Sequence, residues 1–444
     1  MLSRQLKLIL FITVFLISGA LLFNAITRDI VYEKDYTSDL RNRVVGARLI
    51  KDGKSPYFYK WKEADGVRYY DPDAFGYAVV SNITATPFFH ELLIPISGLS
   101  QKAISKIWLW IEYIMLLTIA LVAISFCNSI VEKLAVLTAT LAFLYTEAWK
   151  SHVFTGQMYL TIAFFSSLFI FILAKSKNAI DYLLCGIVST TLVFIRPNFI
   201  VFFLPFILLL PNIKLKSIIA LLLPGIVAII ITLSNAFQKQ LWTNFFDAVK
   251  IHTAIHQGEA PEKKILSYDP KYTEWEGLNM KYTSTLKQDM AIYPKSENGN
   301  FFVLARLVFH KQINSLSLML ISFVIILFLL ISFFFKYRKI NIGNTDLRIL
   351  FCLGFCIYMV TDLFSPIYRN QYYTIQWVAP VLLFFSVSKF KADLKFILLI
   401  SSGIILNMIN TPLIKMEHTI GEYLVLCTLL LYSFVYFKRK KVES

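Results

Sequence analysis

Two charged side chains near the start of the chain have types and spacing that suit acid–base chemistry. Asp39 and Arg43 stand four residues apart in a segment with a helical pattern, so they share one helix face, while Arg41 and Arg48 share another. A carboxylate beside guanidinium groups at a membrane surface suits transfer of a sugar from a lipid phosphate. The carboxylate would take the proton of an acceptor hydroxyl, and a cation would stabilise the leaving phosphate. An ordinary ion pair on a solvated helix has the same spacing, so this alternative stays open.

The segment around Asp39 has clear start and stop signals for a helix. Ser38 can cap the first turn with its hydroxyl, and Asp39 then lies where the helix dipole favours a negative charge. Gly53 suits a left-handed residue just after the helix, and Pro56 prevents the helix from resuming. An apolar stripe at helical spacing is formed by Leu40, Val44 and Ala47.

Two further cations stand in very short connections between apolar segments. Arg196 and Arg369 are ionisable residues close to membrane depth, where such a group usually faces a cavity or a partner. Together they could hold a phosphate, since a guanidinium binds phosphate oxygens in a bidentate fork. The alternative is that both side chains extend to the lipid headgroups.

The composition is that of an integral membrane protein. The chain has 444 residues, of which 57% are hydrophobic, whereas soluble proteins average about 45–50% apolar residues. Its mean hydropathy is +0.62. The formal charge of +16 does not indicate nucleic acid as a partner, because many basic residues punctuate the apolar segments and form no basic domain. The partner indicated by composition is the lipid bilayer.

The apolar pattern predicts an all-α polytopic protein with about twelve transmembrane helices. The first segment is too long for the apolar part of a signal peptide, so we expect it to be retained. The fifth and sixth segments are short and are separated by Arg196-Pro197-Asn198. The segments lie at about 6–26, 104–126, 131–148, 158–174, 181–195, 199–211, 217–237, 313–335, 347–364, 374–388, 396–409 and 420–437.

Basic residues in the short connections predict the orientation, because they favour the cytoplasmic side. One side carries basic clusters near 175–177, 214–216, 336–339, 389–395 and 438–441. The other side has only Lys150, Arg196, Arg369 and Lys415 in its short connections. We therefore expect a multi-pass protein of the cytoplasmic (inner) membrane, with both termini in the cytoplasm. Two long loops, 27–103 and 238–312, would lie outside, and the first contains an interfacial or re-entrant piece at 85–95.

Several other polar residues have types and spacings that could suit a metal site or a disulfide. Asp71 and Asp73 form an Asp-x-Asp pair, and His252 and His256 have a zinc-compatible spacing, but neither pair has a third ligand at a matching offset. We therefore predict no metal site. The five cysteines fall within or at the ends of apolar segments, so no disulfide framework is indicated, and Cys352 and Cys356, four apart on one helix face, are predicted to be packing residues.

Four short stretches, in this order along the chain, resemble the motifs of a known enzyme family. They are Asp39-Leu40 through Gly46-Ala47-Arg48 with Gly53 and Ser55-Pro56-Tyr57; Thr86-Pro87 through Ile94-Pro95, followed by Trp108; Gly156-Gln157 with Arg196-Pro197; and Ser365-Pro366 through Tyr372-Tyr373 before Pro380. Their order and topology resemble membrane glycosyltransferases of the GT-C fold. The more specific resemblance is to glycosyltransferase family 87, the polyprenyl-phosphate-mannose-dependent mannosyltransferase-like proteins. The chain departs from that pattern at Tyr159 and at Asp71-Pro72-Asp73, which affects the choice of sugar.

The resemblance implies an inverting, metal-independent hexosyltransferase that needs no cofactor. The donor would be a polyprenyl-phosphate sugar, with mannose as the expected hexose, and the acceptor a glycolipid or glycan outside the cytoplasmic membrane. It implies that Asp39 is the catalytic base, with Asp35 as its rival. The residues expected to bind substrate are Arg43, Gln157, Arg196, Arg369 and Tyr372.

Other classes of membrane protein remain open at this point. A polysaccharide polymerase or ligase also acts on lipid-linked sugars, but usually through Arg and His. A flippase or other transporter would need charged residues in the middle of its spans, and few of these segments carry any. A structural membrane partner would not depend on Asp39 at all. His90 and Glu91 could join the site through the re-entrant piece, although a polar pair at the membrane interface is the preferred interpretation.

Overall fold

A computed structural model describes residues 4–33, 37–59, 63–69, 84–256, 300–301, 304–305, 313–337, 343–365, 369–409 and 416–443. Throughout these ranges the regular structure is helical, and none of them contains a strand. The first helices in chain order are α1 Arg4–Glu33, α2 Ser38–Lys51, α3 Pro87–Leu93, α4 Gln101–Ser125, α5 Ile130–Phe143, α6 Glu147–Thr155, α7 Tyr159–Lys175 and α8 Ala179–Ile195. They are followed by α9 Leu215–Ser234, α10 Ala236–His256, α11 Ser315–Tyr337, α12 Asn344–Leu363, α13 Val378–Phe385, α14 Leu394–Leu406 and α15 Glu417–Glu443. Four 3₁₀ segments accompany them, at Glu63–Tyr69, Ile94–Ile96, Pro197–Asn212 and Gln371–Trp377.

The chain is a helical membrane protein. In the described part, 4 helices are long and apolar enough to cross a bilayer, or 5 if α6 and α7, which meet at a bend of 112°, count as one broken span. The 4 are α4, α9, α11 and the Glu417–Lys441 part of α15. Many of their large apolar side chains are exposed, as on α9 at Ile219 and Ile230, which suits contact with lipid.

Each of the twelve predicted apolar segments coincides with helical structure, although twelve crossings remain a prediction. The predicted break at Arg196 is confirmed, because α8 ends at Ile195 and the chain continues as the 3₁₀ segment Pro197–Asn212. Pro197 and Pro205 have no backbone N–H to donate within that segment, which is a local reason for the change of helix type.

Helix α2 has two buried faces. The predicted stripe of Leu40, Val44 and Ala47 is buried in the main core. The opposite face, including Val45 and Leu49, packs on α10 in a separate small core with Leu241, Phe245, Ala248 and Ile251. These contacts join the first predicted outer loop to the beginning of the second, and they fix α2 from both sides.

The start of α2 differs by one residue from the prediction. Ser38 is the first helical residue, and Thr37 precedes the helix with a left-handed backbone and no side-chain cap bond. The Thr37 hydroxyl instead lies 2.9 Å from the Ser105 hydroxyl, and its amide donates to the carbonyl of Phe154 at 2.8 Å. Tertiary bonds therefore replace the predicted local cap. The end of α2 agrees with the prediction, since Gly53 is left-handed with φ of 70°.

The C-terminal hairpin of α14 and α15 depends on two glycines that face each other. A Cβ on Gly403 would lie 2.7 Å from the carbonyl oxygen of Gly421, and a Cβ on Gly421 would lie 2.6 Å from that of Gly403. Real Cβ atoms do not approach oxygen this closely, so the two backbones can meet only because both side chains are hydrogen.

Candidate functional site

The three polar residues expected at the centre of the site are in direct contact. The Gln157 side-chain amide donates to an oxygen of the Asp39 carboxylate. Its carbonyl oxygen accepts from the Arg43 guanidinium at 2.6 Å, and Arg43 also donates to the Gly156 carbonyl at 3.1 Å. Gln157 thus lies between the acid and the cation. The direct Asp39–Arg43 pair that helix spacing suggested is replaced by this bridge.

The bend between α6 and α7 places Gln157 against α2. Gly156 closes α6 in the left-handed region with φ of 67°, a conformation that favours glycine. A Cβ there would lie 2.6 Å from the Leu40 Cβ, so glycine is also required for the close approach of the bend to α2. Gln157 is 1% exposed, and its backbone carbonyl accepts from the Trp108 indole at 3.3 Å. Packing and hydrogen bonds therefore fix its amide.

Three tyrosine rings lie together beside this bridge, and we call Tyr159, Tyr372 and Tyr373 the tyrosine stack. The ring centroids of Tyr159 and Tyr373 are 4.0 Å apart, and those of Tyr372 and Tyr373 are 5.1 Å apart at an interplanar angle of 20°. Burial raises the pKa of the Tyr372 phenol, and the neighbouring Tyr373 and the Asp39 carboxylate add to that shift. The stack therefore begins within electrostatic reach of Asp39.

Arg196 lies at the other end of the tyrosine stack. Its guanidinium carbon is 5.4 Å from the Tyr159 ring centroid and 5.6 Å from that of Tyr373. One of its amino groups donates to Asp362 of α12, whose side chain is 1% exposed, whereas the Arg196 side chain is 22% exposed. Arg196 thus combines an anchored end with an accessible face.

Arg369 is fully buried among carboxylates. Its Nε donates to Asp362 at 2.8 Å, and its two amino groups donate to both oxygens of Glu422 at 2.5 and 2.6 Å. The Trp377 indole and the Thr374 hydroxyl also donate to Glu422, at 2.7 and 3.2 Å. This arrangement pairs the guanidinium with two carboxylates, and the contact of Arg369 with a phosphate stays a prediction.

Two acidic partners in this network, Asp362 and Glu422, were missed by the sequence reasoning. Asp362 is the next-to-last residue of α12, and Glu422 lies in the second turn of α15, both at the edge of an apolar segment. The signal that could have found them is an acid inside an apolar segment, since a buried charge in a membrane protein needs a partner. Tyr373 was quoted in a motif but given no role.

The other candidates from the sequence have separate surroundings or lie outside the described residues. His90 is fully buried, with its Nδ1 2.9 Å from the Arg43 carbonyl and its ring against Gly46, and its position at the membrane interface stays a prediction. Glu91 instead accepts from Gln238 of α10. Arg48 donates to the Ser97 carbonyl at 2.8 Å and so ties α2 to the start of α4. Residues Asp35, Asp71 and Asp73, together with the side chains of His252 and His256, lie outside the described residues.

All five cysteines lie within the described residues as free thiols; Cys352 and Cys356 are buried, in agreement with their predicted packing role, whereas Cys427 is exposed. No protein-family model, curated protein or solved structure matches the chain.

Proposed function

We propose that this protein is a GT-C-type membrane glycosyltransferase that moves a hexose from a polyprenyl phosphate to a glycolipid or glycan acceptor. The observation that carries the proposal is the bridge Asp39–Gln157–Arg43, in which one amide holds a carboxylate and a guanidinium side by side. A base and a phosphate-binding cation at this separation are the two groups that the reaction requires.

In this reaction Asp39 is the catalytic base. It accepts the proton of the acceptor hydroxyl while that oxygen forms a bond to the anomeric carbon of the donor sugar. The bond from the anomeric carbon to the phosphate oxygen breaks at the same time, and its electron pair leaves with the polyprenyl phosphate. A single displacement of this kind inverts the anomeric centre. Phosphate leaves as an anion, so no general acid is needed.

The leaving phosphate is assigned to Arg43 and Arg196. Within the described residues Arg43 donates to two carbonyl oxygens rather than to a carboxylate, so its positive charge is not neutralised by direct contact with an acid. The Arg196 side chain lies beside the tyrosine stack and is partly exposed. Arg369 is assigned a supporting role, because Asp362 and Glu422 balance its charge and it in turn holds the carboxylate that anchors Arg196.

Tyr372 belongs to the tyrosine stack and is assigned to the sugar. Aromatic faces bind the apolar faces of sugar rings, and Tyr372 is only partly buried while it lies within electrostatic reach of both Asp39 and Arg43. In the topology that basic residues predict, the whole cluster faces the outside of the cytoplasmic membrane, and both termini face the cytoplasm.

One observation supports a second candidate, a flippase for lipid-linked sugars. Glu112 is 1% exposed in the middle of α4, a helix that can cross the membrane. A buried mid-span carboxylate is common in transporters. Its carboxylate nevertheless has a close neighbour, since one oxygen lies 2.9 Å from Nδ1 of the buried His152.

The experiment incubates purified protein with radiolabelled polyprenyl-phosphate hexoses and a membrane lipid extract. Asp39→Asn serves as the matched control, because it keeps the shape of the side chain and removes the base. Label that moves to a new lipid or glycan only with the wild-type protein supports glycosyl transfer. Transport of intact donor across a vesicle membrane without transfer would replace the proposal by the flippase.

A further inference from the structure

A buried acid–imidazole pair lies behind the proposed site. Glu112 of α4 and His152 of α6 are 1% and 0% exposed, and a Glu112 carboxylate oxygen is 2.9 Å from the His152 Nδ1. Burying a carboxylate away from water is costly unless a partner compensates it, so an apolar pair would be the simpler choice for packing alone. Packing alone therefore does not explain the pair, and we look for a function that needs polar side chains.

The other ring nitrogen of His152 defines where the imidazole proton lies. His152 Nε2 is 3.2 Å from the backbone nitrogen of Leu160, which is an N–H donor. Nε2 must therefore be the unprotonated nitrogen, and in a neutral imidazole the proton is on Nδ1, the nitrogen nearer Glu112. The Leu160 amide thus sets the tautomer of His152, and the Glu112 carboxylate lies beside its protonated nitrogen at 2.9 Å.

This tautomer caps helix α7. Leu160 lies in the first turn of α7, where backbone N–H groups have no partner within the helix, and Met158 at the N-cap position makes no side-chain cap bond. His152 supplies the missing acceptor from the preceding helix. The backbone carbonyl of His152 accepts from the backbone N–H of Gln157 at 3.1 Å. One residue therefore bonds to both sides of the bend that carries Gln157.

We infer that Glu112 and His152 are positioning residues, which hold the α6–α7 bend so that Gln157 presents Asp39 and Arg43 in the geometry for transfer. The inference rests on the proposed function for its catalytic part. Its structural part stands on four contacts: Glu112 to His152, His152 to Leu160, His152 to Gln157, and Gln157 to Asp39. Trp108, one turn before Glu112 on α4, adds a bond to the Gln157 carbonyl.

Hydrogen–deuterium exchange over residues 152–160 of the full-length protein tests the structural part without any activity. Glu112→Leu removes the carboxylate that lies 2.9 Å from Nδ1, and His152→Phe removes the cap itself. We expect the amides of Gln157 and Leu160 to exchange about tenfold faster or more in both variants. Glu112→Gln should stay near the wild type, because it keeps a polar oxygen of the same reach beside Nδ1. Ile119→Ala, another buried α4 change two turns away, controls for general loosening and should leave this peptide unchanged.

Turnover in the same variants tests the catalytic part. Misplacing a catalytic group by about 1 Å can cost about 10²-fold in rate, so Glu112→Leu should lower kcat by roughly 10- to 100-fold. The donor KM should stay within about twofold, because the two cations remain, and Glu112→Gln should restore most of kcat. Unchanged exchange in both Glu112→Leu and His152→Phe would overturn the inference, as would faster exchange with normal kcat. If wild-type protein transfers no sugar, the proposed function fails, and exchange alone still decides whether the pair holds the bend.

Discussion

The Asp39 carboxylate accepts a hydrogen bond from the Gln157 side chain, which lies 118 residues later in the chain. Because Arg43 bonds to the other end of the same amide at 2.6 Å, Gln157 cannot turn its amide over without breaking both bonds. The amide therefore fixes the orientation of the acid and of the cation together. This relationship makes the roles of the three residues separable by mutation.

Removal of the base is the most direct prediction. Asp39→Asn keeps the size of the side chain and one hydrogen-bond-accepting oxygen. It cannot take the proton of the acceptor hydroxyl, so kcat should fall by roughly 10²–10⁴-fold. Donor binding should survive, since Arg43 and Arg196 are unchanged. Steady-state turnover and equilibrium donor binding measure the two effects, with Asp35→Asn as the control. A dead Asp35 variant beside an active Asp39 variant would show that the wrong carboxylate was chosen.

Loss of the bridge should separate orientation from chemistry. Gln157→Leu removes both amide contacts and keeps the volume, while Asp39 and Arg43 remain. We expect kcat to fall by about 10- to 100-fold, less than in Asp39→Asn, because the base is present but poorly oriented. Single-turnover rates would check this order. If Gln157→Leu is as active as the wild type, the bridge does not contribute to the reaction.

Replacement of Arg196 should change the donor kinetics, whereas replacement of Arg369 should change the stability of the fold. Arg196→Ala should raise the donor KM and lower kcat, corresponding to roughly 2–5 kcal/mol of lost contact with the phosphate. Arg369→Ala should instead destabilise the fold by about 3–5 kcal/mol, because the buried Glu422 loses its cation and Asp362 keeps only Arg196. Thermal unfolding in detergent and donor kinetics distinguish the two. Arg369→Lys should rescue poorly, since lysine cannot make the bidentate contact with Glu422.

His90 should make stability depend on acid pH. Burial lowers the pKa of its imidazole to about 4, from an ordinary 6.5. The unfolded chain therefore binds a proton more readily between pH 6.5 and 4, and the free energy of unfolding falls as the pH drops through that window. The full difference is about 3 kcal/mol at the acid end, and none is lost above pH 6.5.

His90→Asn is the matched variant for this effect. Its amide can still donate to the Arg43 carbonyl, as Nδ1 does, but it does not titrate. Denaturant unfolding at pH 7 and pH 4.5 should show a smaller loss for the variant than for the wild type. Equal losses in the two proteins would assign the acid sensitivity to other groups.

The predicted orientation can be checked by labelling single cysteines with a membrane-impermeant maleimide. Lys51 at the end of α2 and Lys336 in the last turn of α11 are both exposed. In intact cells Lys51→Cys should react, whereas Lys336→Cys should react only after the membrane is broken. The native chain supplies the background, since its own cysteines lie within or at the ends of apolar segments. Outside labelling at position 336 would reverse the topology and move the site to the cytoplasm.

Local signals in the sequence were sufficient for much of the helical framework. The left-handed Gly53 and the break at Arg196 could be predicted, because glycine, proline and apolar periodicity act on neighbouring residues. The contact of Asp39 with Gln157 could not be derived from periodicity, which carries no information on pairs so distant in sequence. The same holds for Arg196 with Asp362, which are 166 residues apart. Helix α6 was missed, because its polar residues interrupt the apolar pattern.

Gly421 immediately precedes Glu422, the acid that binds Arg369. The contact between Gly403 and Gly421 therefore sets how deeply α15 lies against α14, and so where the Glu422 carboxylate meets the ion-pair network. A methyl group at either glycine would push the two helices apart and shift that carboxylate away from Arg369, with Asp362 and Arg196 following. The last two helices supply no reacting group. Their spacing nevertheless sets the geometry of a site assembled mainly from the first half of the chain, and that spacing depends on the absence of a side chain at Gly403 and Gly421.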